Sequence, residues 1–242
     1  MTRVSCDNNG IQISLESIRN GGVLIFPTDT VYGIGCDPYN KEAVNKVYKI
    51  KNRNKAKSLP ILGYSKDELE KIVEFDETAI KIVEKFWPGQ LTIVLPVKDK
   101  KLKESLCVTN KIAVRVPDNE CILSLLKQCK LIIGTSANLS TKDSFVDPES
   151  CAKSVSGYDI FLDGGTLESS GESTIIEIVN KEIKITSTEG RFKISEKVKE
   201  PLKLINNGIY DRNLPSSDLQ MSYSPVSYTH LRAHETDSYL VC

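Results

Sequence analysis

Apolar residues recur along the chain with two spacings, one typical of amphipathic helices and one typical of buried strands. A spacing of three or four residues predicts helices at 11–19, 40–50, 66–73, 77–86 and 120–127. Short apolar runs between turn residues predict strands at 23–26, 59–62, 91–97, 112–116, 131–133, 160–162, 174–179 and 182–186. Because strands and helices alternate over most of the chain, the pattern predicts a mixed α/β layer.

The same pattern divides the chain into a body and two flanking segments. Residues 1–10 are polar and form an N-terminal lead, whereas residues 11–200 carry the alternating elements and form one predicted domain. From Pro201 onward the periodicity is lost, which predicts a disordered tail at 201–242. Because residues 227–236 also resemble a translated sequencing-adapter read-through, this tail is either disordered or an artefact, and it is excluded from the fold prediction.

Composition restricts the class of protein further. The 242 residues include 32 Lys and Arg against 32 Asp and Glu, and this zero net charge disfavours a protein whose main role is to coat nucleic acid. The longest apolar runs are far too short to span a bilayer. Seven scattered cysteines without a CxxC pair favour reduced thiols, so we expect a cytoplasmic protein without a membrane segment.

Histidine is missing from the body of the chain. The two histidines, His230 and His234, both lie in the predicted tail. Nucleophile systems of the Ser-His-Asp or Cys-His type and HExxH zinc sites are therefore excluded from residues 1–200. The chain also has no GxxxxGK[ST] or GxGxxG motif. Chemistry in the body must rely on Lys, Arg, Ser, Thr, Asn, Asp and backbone groups, and we expect no protein-bound metal.

Two loop clusters combine polar groups with glycine or with positive charge. The segment PTDTVYGIG at 27–35 follows a buried strand; its Thr and Asp groups can bind a ligand that the glycines let approach, or they can form a simple turn. Lys51, Arg53 and Lys57 lie at the end of a predicted helix. These cations either complement the helix dipole or clamp a polyphosphate.

Two further clusters lie beside apolar strands. Arg115 interrupts the strand at 112–116 and either meets a structural carboxylate or faces an anionic ligand. The segment GTSAN at 134–138 places small hydroxyl and amide groups at the end of a strand, where open α/β sheets bind ligands, although a turn or helix cap explains them equally well. The segment GEST at 171–174 has similar groups. Together the four clusters form a histidine-free set of phosphate and hydroxyl binders.

In chain order, seven motifs resemble those of the YrdC-like family of threonylcarbamoyl-AMP synthases in its short, single-domain form. The motifs are PTDTVYGIG, the KxR at 51–53, KSLPIL, FWPGQLTIVLP, IAVRVP, TSAN and GESTII, within residues 11–190. The resemblance implies a twisted, mostly parallel sheet with flanking helices around a large, positively lined cavity. It also implies a nucleotidyltransferase that condenses L-threonine, bicarbonate and ATP to threonylcarbamoyl-AMP and pyrophosphate, for the threonylcarbamoyladenosine modification of tRNA.

The resemblance also implies roles for particular residues. Catalytic roles fall to Lys51, Arg53, Ser136 and Asn138. The ATP contacts would be Arg53, Lys57, Ser136, Ser144 and Arg191. The threonine contacts would be Thr30, Arg115 and Ser173. A bidentate guanidinium suits the carboxylate of threonine. Mg²⁺ would arrive with ATP, the product would pass to a tRNA threonylcarbamoyl transferase complex, and tRNA itself is a candidate contact.

Two positions depart from the family pattern. Many members carry an Arg before the last glycine of an ILRxG-like motif, whereas here Arg191 follows Gly190. Many longer members carry a histidine in the threonine pocket, near the place where Leu62 stands. Because the longer subfamily appends a linker and a second domain, the length of this chain indicates the short form or a truncation.

Two other functions compete with the synthase. A tRNA or double-stranded-RNA binding module without synthase activity would use a basic cavity, but zero net charge and few aromatic residues for stacking disfavour it. A carbamoyl-transfer domain of the kind fused to hydrogenase-maturation proteins would come with zinc-finger and acylphosphatase-like modules, neither of which is recognised in this sequence.

Overall fold

In the computed structural model, which describes residues 1–140, 142–168, 171–179 and 182–185, helices flank two mixed β-sheets. The strands are β1 (Thr2–Ser5), β2 (Leu24–Phe26), β3 (Gly33–Gly35), β4 (Ile61–Gly63), β5 (Leu91–Pro96), β6 (Lys111–Arg115), β7 (Leu131–Ile133), β8 (Thr135–Ser136), β9 (Ile160–Asp163), β10 (Thr174–Val179) and β11 (Glu182–Ile185). The helices are α1 (Asn8–Arg19), α2 (Lys41–Lys51), α3 (Lys66–Glu70), α4 (Glu77–Phe86), α5 (Lys100–Leu106), α6 (Glu120–Cys129) and α7 (Pro148–Ser154).

The two sheets combine parallel and antiparallel pairs. One has the strand order β1-β9-β2-β3-β8 and the other the order β11-β10-β5-β6-β4-β7. The pairs β1–β9, β2–β9, β5–β10 and β4–β6 are parallel, and the remaining pairs between described strands are antiparallel. The mixed α/β class is thus confirmed, but the expected single, mostly parallel sheet is divided into two mixed ones. One reason is that residues 27–32 are too few for a parallel crossover, so β3 returns antiparallel to β2.

Local signals in the sequence place the ends of α2, which matter for the site. Asn40 caps its N-terminus by accepting hydrogen bonds from the backbone N–H groups of Glu42 and Ala43. The helix ends where Asn52 adopts a left-handed conformation with φ of 48°. The chain therefore reverses directly after Lys51, and the residues of the KxR motif lie in a tight turn at the helix C-terminus.

A large hydrophobic cluster includes strands from both sheets. Its members include Ile25 and Ile34 of the first sheet and Ile61, Ile93 and Val114 of the second, all with no exposed surface. Burying a side chain of this size contributes about 1.5–3 kcal/mol relative to leaving it exposed. Because the loops that follow β2 and precede β8 start from this rigid base, their polar residues are held in place.

A second cluster lies beneath α1 and α6. The helix predicted at 11–19 is confirmed as α1, and the apolar residues spaced along it, Ile11, Leu15 and Ile18, are all buried. They belong to the same cluster as Leu125 of α6 and Phe26 of β2. This packing fixes the strand from which the PTDT loop departs.

The N-terminal residues differ from expectation. Residues 1–10, predicted as a lead outside the domain, form β1, which pairs in parallel with β9, and the first residues of α1. A disulfide joins Cys6 to Cys121, so the expectation of reduced thiols is not met at this pair, whereas Cys36, Cys129 and Cys151 are free. The partners lie 115 residues apart, which is why their spacing gave no signal.

The described residues leave two sequence predictions untested. The predicted tail at 201–242 and Arg191 both lie outside the described ranges. Across those ranges, none of the helices combines the length and the apolar character needed to cross a membrane.

Candidate active site

The ammonium group of Lys51 lies under the TSAN loop. Lys51 is 2% exposed, and its Nζ donates to the backbone oxygens of Ser136 and Asn138, the latter at 2.9 Å, and to Asn138 Oδ1 at 3.0 Å. An ammonium has three donor hydrogens, and three oxygens surround it here. In this conformation Lys51 therefore holds the loop in position at the end of β8.

Ser136 and Asn138 complete this network. Ser136 Oγ donates to Asn138 Oδ1 at 2.7 Å, and Asn138 Nδ2 donates to the backbone oxygen of Lys142. Asn138 is 7% exposed, so water is largely excluded from its side-chain amide. Hydrogen bonds within the protein therefore satisfy both the oxygen and the nitrogen of that amide. Three of the four residues that the resemblance marks as catalytic thus form one hydrogen-bonded group.

The fourth, Arg53, braces the turn that follows α2. Its Nε donates to the backbone oxygen of Lys57 at 3.2 Å, and its Nη2 donates to that of Ser58 at 3.1 Å. Arg53 is half-buried, whereas the Lys57 side chain is exposed. The structure therefore places both cations in the same short turn, one packed against its backbone and one pointing outward.

Ser144, the other described residue expected to contact ATP, lies on the segment after the TSAN loop. It is half-buried. The neighbouring Phe145 accepts a hydrogen bond from the backbone N–H of Tyr32 at 2.8 Å, which ties this segment to the end of the PTDTVYGIG motif. The described residues among the expected ATP contacts therefore lie in two places, the KxR turn and the segment from Ser136 to Ser144. The hydrogen bond from Asn138 to the backbone of Lys142 lies within that segment.

Arg115 lies at the other end of the site in a buried ion pair. Its Nη2 donates to Asp29 Oδ1 at 2.6 Å, and the side chains of the two residues are 6% and 10% exposed. Its Nη1 donates to Thr30 Oγ1 at 3.1 Å, and its Nε donates to the backbone oxygen of Gly89 at 2.8 Å. Burial lowers the pKa of Arg115, while the charge of Asp29 and its hydrogen bond raise it.

The sequence left open whether Arg115 meets a structural carboxylate or faces an anionic ligand, and counting its hydrogen-bond donors bears on this choice. A guanidinium has five N–H donors, and the contacts to Asp29, Thr30 and Gly89 use three of them. Arg115 therefore meets a structural carboxylate and still keeps two donors. Two donors are the number that a bidentate contact with another carboxylate requires.

Hydroxyl groups surround the ion pair. Thr28 Oγ1 and Thr30 Oγ1 lie 2.9 Å apart, and Thr28 Oγ1 donates to the backbone oxygen of Val31 at 2.7 Å. Gln90 Nε2 donates to the backbone oxygen of Asp29 at 2.9 Å, which connects the PTDT loop to the start of β5. Every residue of the PTDT loop that could contact a ligand is therefore fixed by at least one hydrogen bond.

A cleft connects the two ends of the site. Its lining includes Thr30, Arg115, Ser136 and Ser173, and the Oγ atom of Ser173 lies 2.9 Å from Thr92 Oγ1. Leu62, near the position where longer family members carry histidine, also lines the cleft. The cleft has a volume of about 50 Å³, well below the roughly 300–1,000 Å³ typical of small-molecule sites. The large, positively lined cavity implied by the resemblance therefore stays a prediction.

The sequence did not predict the roles of two carboxylates of the site, Asp29 and Glu172. Asp29 was recognised as polar, but its pairing with Arg115 was not, because the two residues are 86 positions apart. Glu172 lines the cleft beside Ser173 but received no role. In the sequence, the one indication of a role for Glu172 is its position in the GEST segment, next to the expected threonine contact Ser173. Within the described ranges, no group of three or more His, Cys, Asp or Glu side chains is placed so that it could hold a metal ion.

Comparison with known proteins explains why these groups occur together. A family model for Sua5, YciO and YrdC proteins, described as "Telomere recombination", matches residues 16–187. The chain belongs to this family. A Methanocaldococcus jannaschii relative named putative threonylcarbamoyl-AMP synthase is 38% identical over 176 residues, which are 72% of this chain and 83% of the relative. The resemblance noted from the motifs is thus confirmed.

Solved structures of the Sua5/YciO/YrdC family share the fold. Pyrococcus abyssi Sua5 complexed with L-threonine is 31% identical with a TM-score of 0.68, over 76% of this chain and 55% of that one. The curated threonylcarbamoyl-AMP synthase of the same organism is 33% identical, over 69% of this chain and 50% of the relative. The chain thus spans about half the length of the Pyrococcus protein and most of the Methanocaldococcus one.

Proposed function

We propose that this chain is an L-threonylcarbamoyladenylate synthase, which condenses L-threonine, bicarbonate and ATP to threonylcarbamoyl-AMP and pyrophosphate. The observation that carries the proposal is the cleft between the PTDT and TSAN loops, where a buried arginine with two remaining donors lies beside hydroxyl groups. The names of the relatives, and the threonine complex of one of them, support the choice of substrates.

Threonine would bind at the end of the cleft that contains Arg115. Its carboxylate would accept hydrogen bonds from the two remaining guanidinium donors, because that pairing is planar and bidentate. The hydroxyl groups of Thr30 and Ser173 lie along the same cleft and can read the hydroxyl group of the substrate. A hydrophobic amino acid of similar size would add no hydrogen bond to those that these hydroxyl groups already make with Arg115 and Thr92, so threonine is favoured over it.

ATP would bind at the end that contains the KxR turn and the TSAN loop. Arg53 and Lys57 would turn toward the phosphates, and Ser136, Ser144 and Arg191 would add further contacts. Mg²⁺ would arrive on the phosphate oxygens of ATP, as part of the substrate. Lys51 and Asn138 would hold Ser136 in place through the hydrogen bonds described above.

The chemistry would consist mainly of positioning and of offsetting charge. The threonine ammonium first loses a proton, and its nitrogen then takes up the carbon of bicarbonate with loss of water to give a carbamate. A carbamate oxygen attacks the α-phosphorus, the bond from that phosphorus to the bridging oxygen breaks, and pyrophosphate leaves. The cations of the KxR turn would stabilise the charge that develops on pyrophosphate. No side chain needs to form a covalent intermediate, which agrees with the lack of histidine in residues 1–200. The product would be consumed by a transferase that modifies tRNA.

The test is pyrophosphate release by the purified full-length chain. With ATP and Mg²⁺ present, release should require both L-threonine and bicarbonate, and L-alanine should not replace threonine. Mass spectrometry should detect threonylcarbamoyl-AMP in the same reactions. A folded protein that releases no pyrophosphate, or releases it without threonine, would refute the proposal. Salt-sensitive binding of tRNA by such a protein would favour the RNA-binding alternative instead.

A further inference from the structure

We infer that the carboxylate of Glu172 binds the ammonium group of the amino-acid substrate and thereby selects α-amino acids over other carboxylates. This inference rests on the proposed function. Free threonine is a zwitterion near neutral pH, so a site for it needs one group for its carboxylate and another for its ammonium. The motif-based roles supply the first with Arg115 and leave the second unassigned.

Glu172 is the charged residue that lines the cleft together with Arg115. Of the residues that line the cleft in the described structure, these two are the ones with formal charges, and the rest are apolar, glycine or hydroxyl residues. Glu172 is half-buried. A carboxylate accepts hydrogen bonds only, which matches the three donors of an ammonium group.

Asp29 cannot take this role, although it is the nearer carboxylate to Arg115. Its Oδ1 accepts the 2.6 Å hydrogen bond from Arg115, its side chain is 10% exposed, and it does not line the cleft. Its Oδ2 has no hydrogen-bond partner among the described residues, but it is buried and belongs to a residue outside the cleft lining. Glu172 has no such commitment: within the described ranges, no side chain pairs with its carboxylate.

The backbone around Glu172 holds it at the cleft. Directly after it, Ser173 Oγ lies 2.9 Å from Thr92 Oγ1, and the N–H of Thr174 donates to the backbone oxygen of Gln90 at 3.0 Å. The side chain of Gln90 in turn donates to the backbone oxygen of Asp29. The segment that carries Glu172 is therefore tied, through one glutamine, to the loop that carries the partner of Arg115.

The charges of this end of the site support the inference. Asp29 offsets the charge of Arg115, so the pair is neutral as a unit. With Glu172 the three groups carry one net negative charge, and two guanidinium donors of Arg115, which lines the cleft, are not used by the contacts to Asp29, Thr30 and Gly89. A zwitterion satisfies such a site on both sides, whereas a substrate that is only an anion would face Glu172 without a compensating group.

The experiment compares two ligands that differ only at the ammonium group. Calorimetric binding to the full-length chain is measured for L-threonine and for the matching 2,3-dihydroxybutanoate, in which a hydroxyl group replaces the ammonium. Glu172→Gln should weaken threonine binding by about 10- to 100-fold, the range expected for a lost charged hydrogen bond. Binding of the hydroxy acid should stay unchanged or improve. Glu168→Gln, an exposed change in the same region, should alter neither affinity.

The outcomes separate this inference from the proposed function. If the unaltered chain binds no threonine, the proposed function fails first. If it binds threonine and Glu172→Gln binds it equally well, the ammonium role is overturned. Equal weakening of both ligands would also overturn it, because a merely structural change does not distinguish them. Glu172→Asp, which keeps the charge, should retain most of the preference for threonine, and it provides a second reading if the glutamine variant unfolds.

Discussion

The two ends of the site bury a cation in different ways. At one end the guanidinium of Arg115 pairs with the carboxylate of Asp29 at 2.6 Å. At the other, the ammonium of Lys51 lies among oxygens of Ser136 and Asn138, and these described acceptors carry no formal charge. Both side chains are almost completely buried, at 5% and 2% exposed. Removing a cation from water is costly, so both ends must compensate that cost. One does so with a carboxylate and the other with neutral oxygens among its described contacts.

The difference matches the charges of the two proposed substrates. A carbonyl oxygen offsets the desolvation of an ammonium without cancelling its charge, and Lys51, Arg53 and Lys57 bring three cations to the KxR turn. Such a group of cations suits a triphosphate. The ion pair cancels the charge of Arg115, and Glu172 adds a carboxylate, so in the proposed site this end offers donors to a carboxylate and an acceptor to an ammonium, as a zwitterion requires. We therefore expect changes at the first end to affect nucleotide chemistry and changes at the second to affect both stability and threonine binding.

The largest expected effect comes from Arg115→Ala. This change strands the buried carboxylate of Asp29, and breaking a buried ion pair from one side costs about 3–5 kcal/mol. Urea unfolding should therefore show a loss of that size in the free energy of unfolding. The double variant Asp29→Ala, Arg115→Ala should lose less than the sum of the two single changes, because no charge is left stranded. Additive losses would show that the two groups do not stabilise each other.

A smaller loss of stability is expected from Lys51→Met. The methionine fills a similar volume, but the backbone oxygens of Ser136 and Asn138 lose a buried donor, which costs about 1–3 kcal/mol. The expected cost is below that of Arg115→Ala because the acceptors named here are neutral oxygens, whereas Arg115 pairs with a carboxylate. Denaturation of both variants under one condition tests this order. A Lys51→Met variant as unstable as Arg115→Ala would contradict the contrast between the two ends.

A helix or strand can be predicted from the sequence when it is long enough to show a repeating spacing of apolar residues. The faces of α1 and α6 span several turns and were predicted from apolar spacing. Strands β3 and β8 were missed, because one is Gly-Ile-Gly and the other has two residues, too few for any period to show. Helix α7 was also missed, although its cap at Asp147 followed by Pro148 is a readable start signal.

For the site, the motifs supplied the residues but not their contacts. Thr30, Arg115, Ser136 and Ser173 were all named from the sequence, and the structure brings all four to one cleft. The pairing of Arg115 with Asp29 could not be read, because a charge within an apolar strand is equally consistent with a protein partner and a ligand. The three-dimensional arrangement reveals the protein partner, with three donors engaged and two remaining, and the contact with a ligand stays a prediction.

The smallest effect on stability, and a large one on activity, is expected from Arg53→Ala. Arg53 is half-buried, and the hydrogen bonds described above go to the backbone oxygens of Lys57, an exposed residue, and Ser58, so the loss should be about 1 kcal/mol. Pyrophosphate release should nevertheless fall by roughly 1,000-fold, the effect typical of an arginine that offsets charge on phosphate. Lys55→Ala, in the same turn, is the matched control and should change release far less. An Arg53→Ala variant that unfolds as readily as Lys51→Met would assign Arg53 to the scaffold of the turn, and normal release would remove it from the phosphate site.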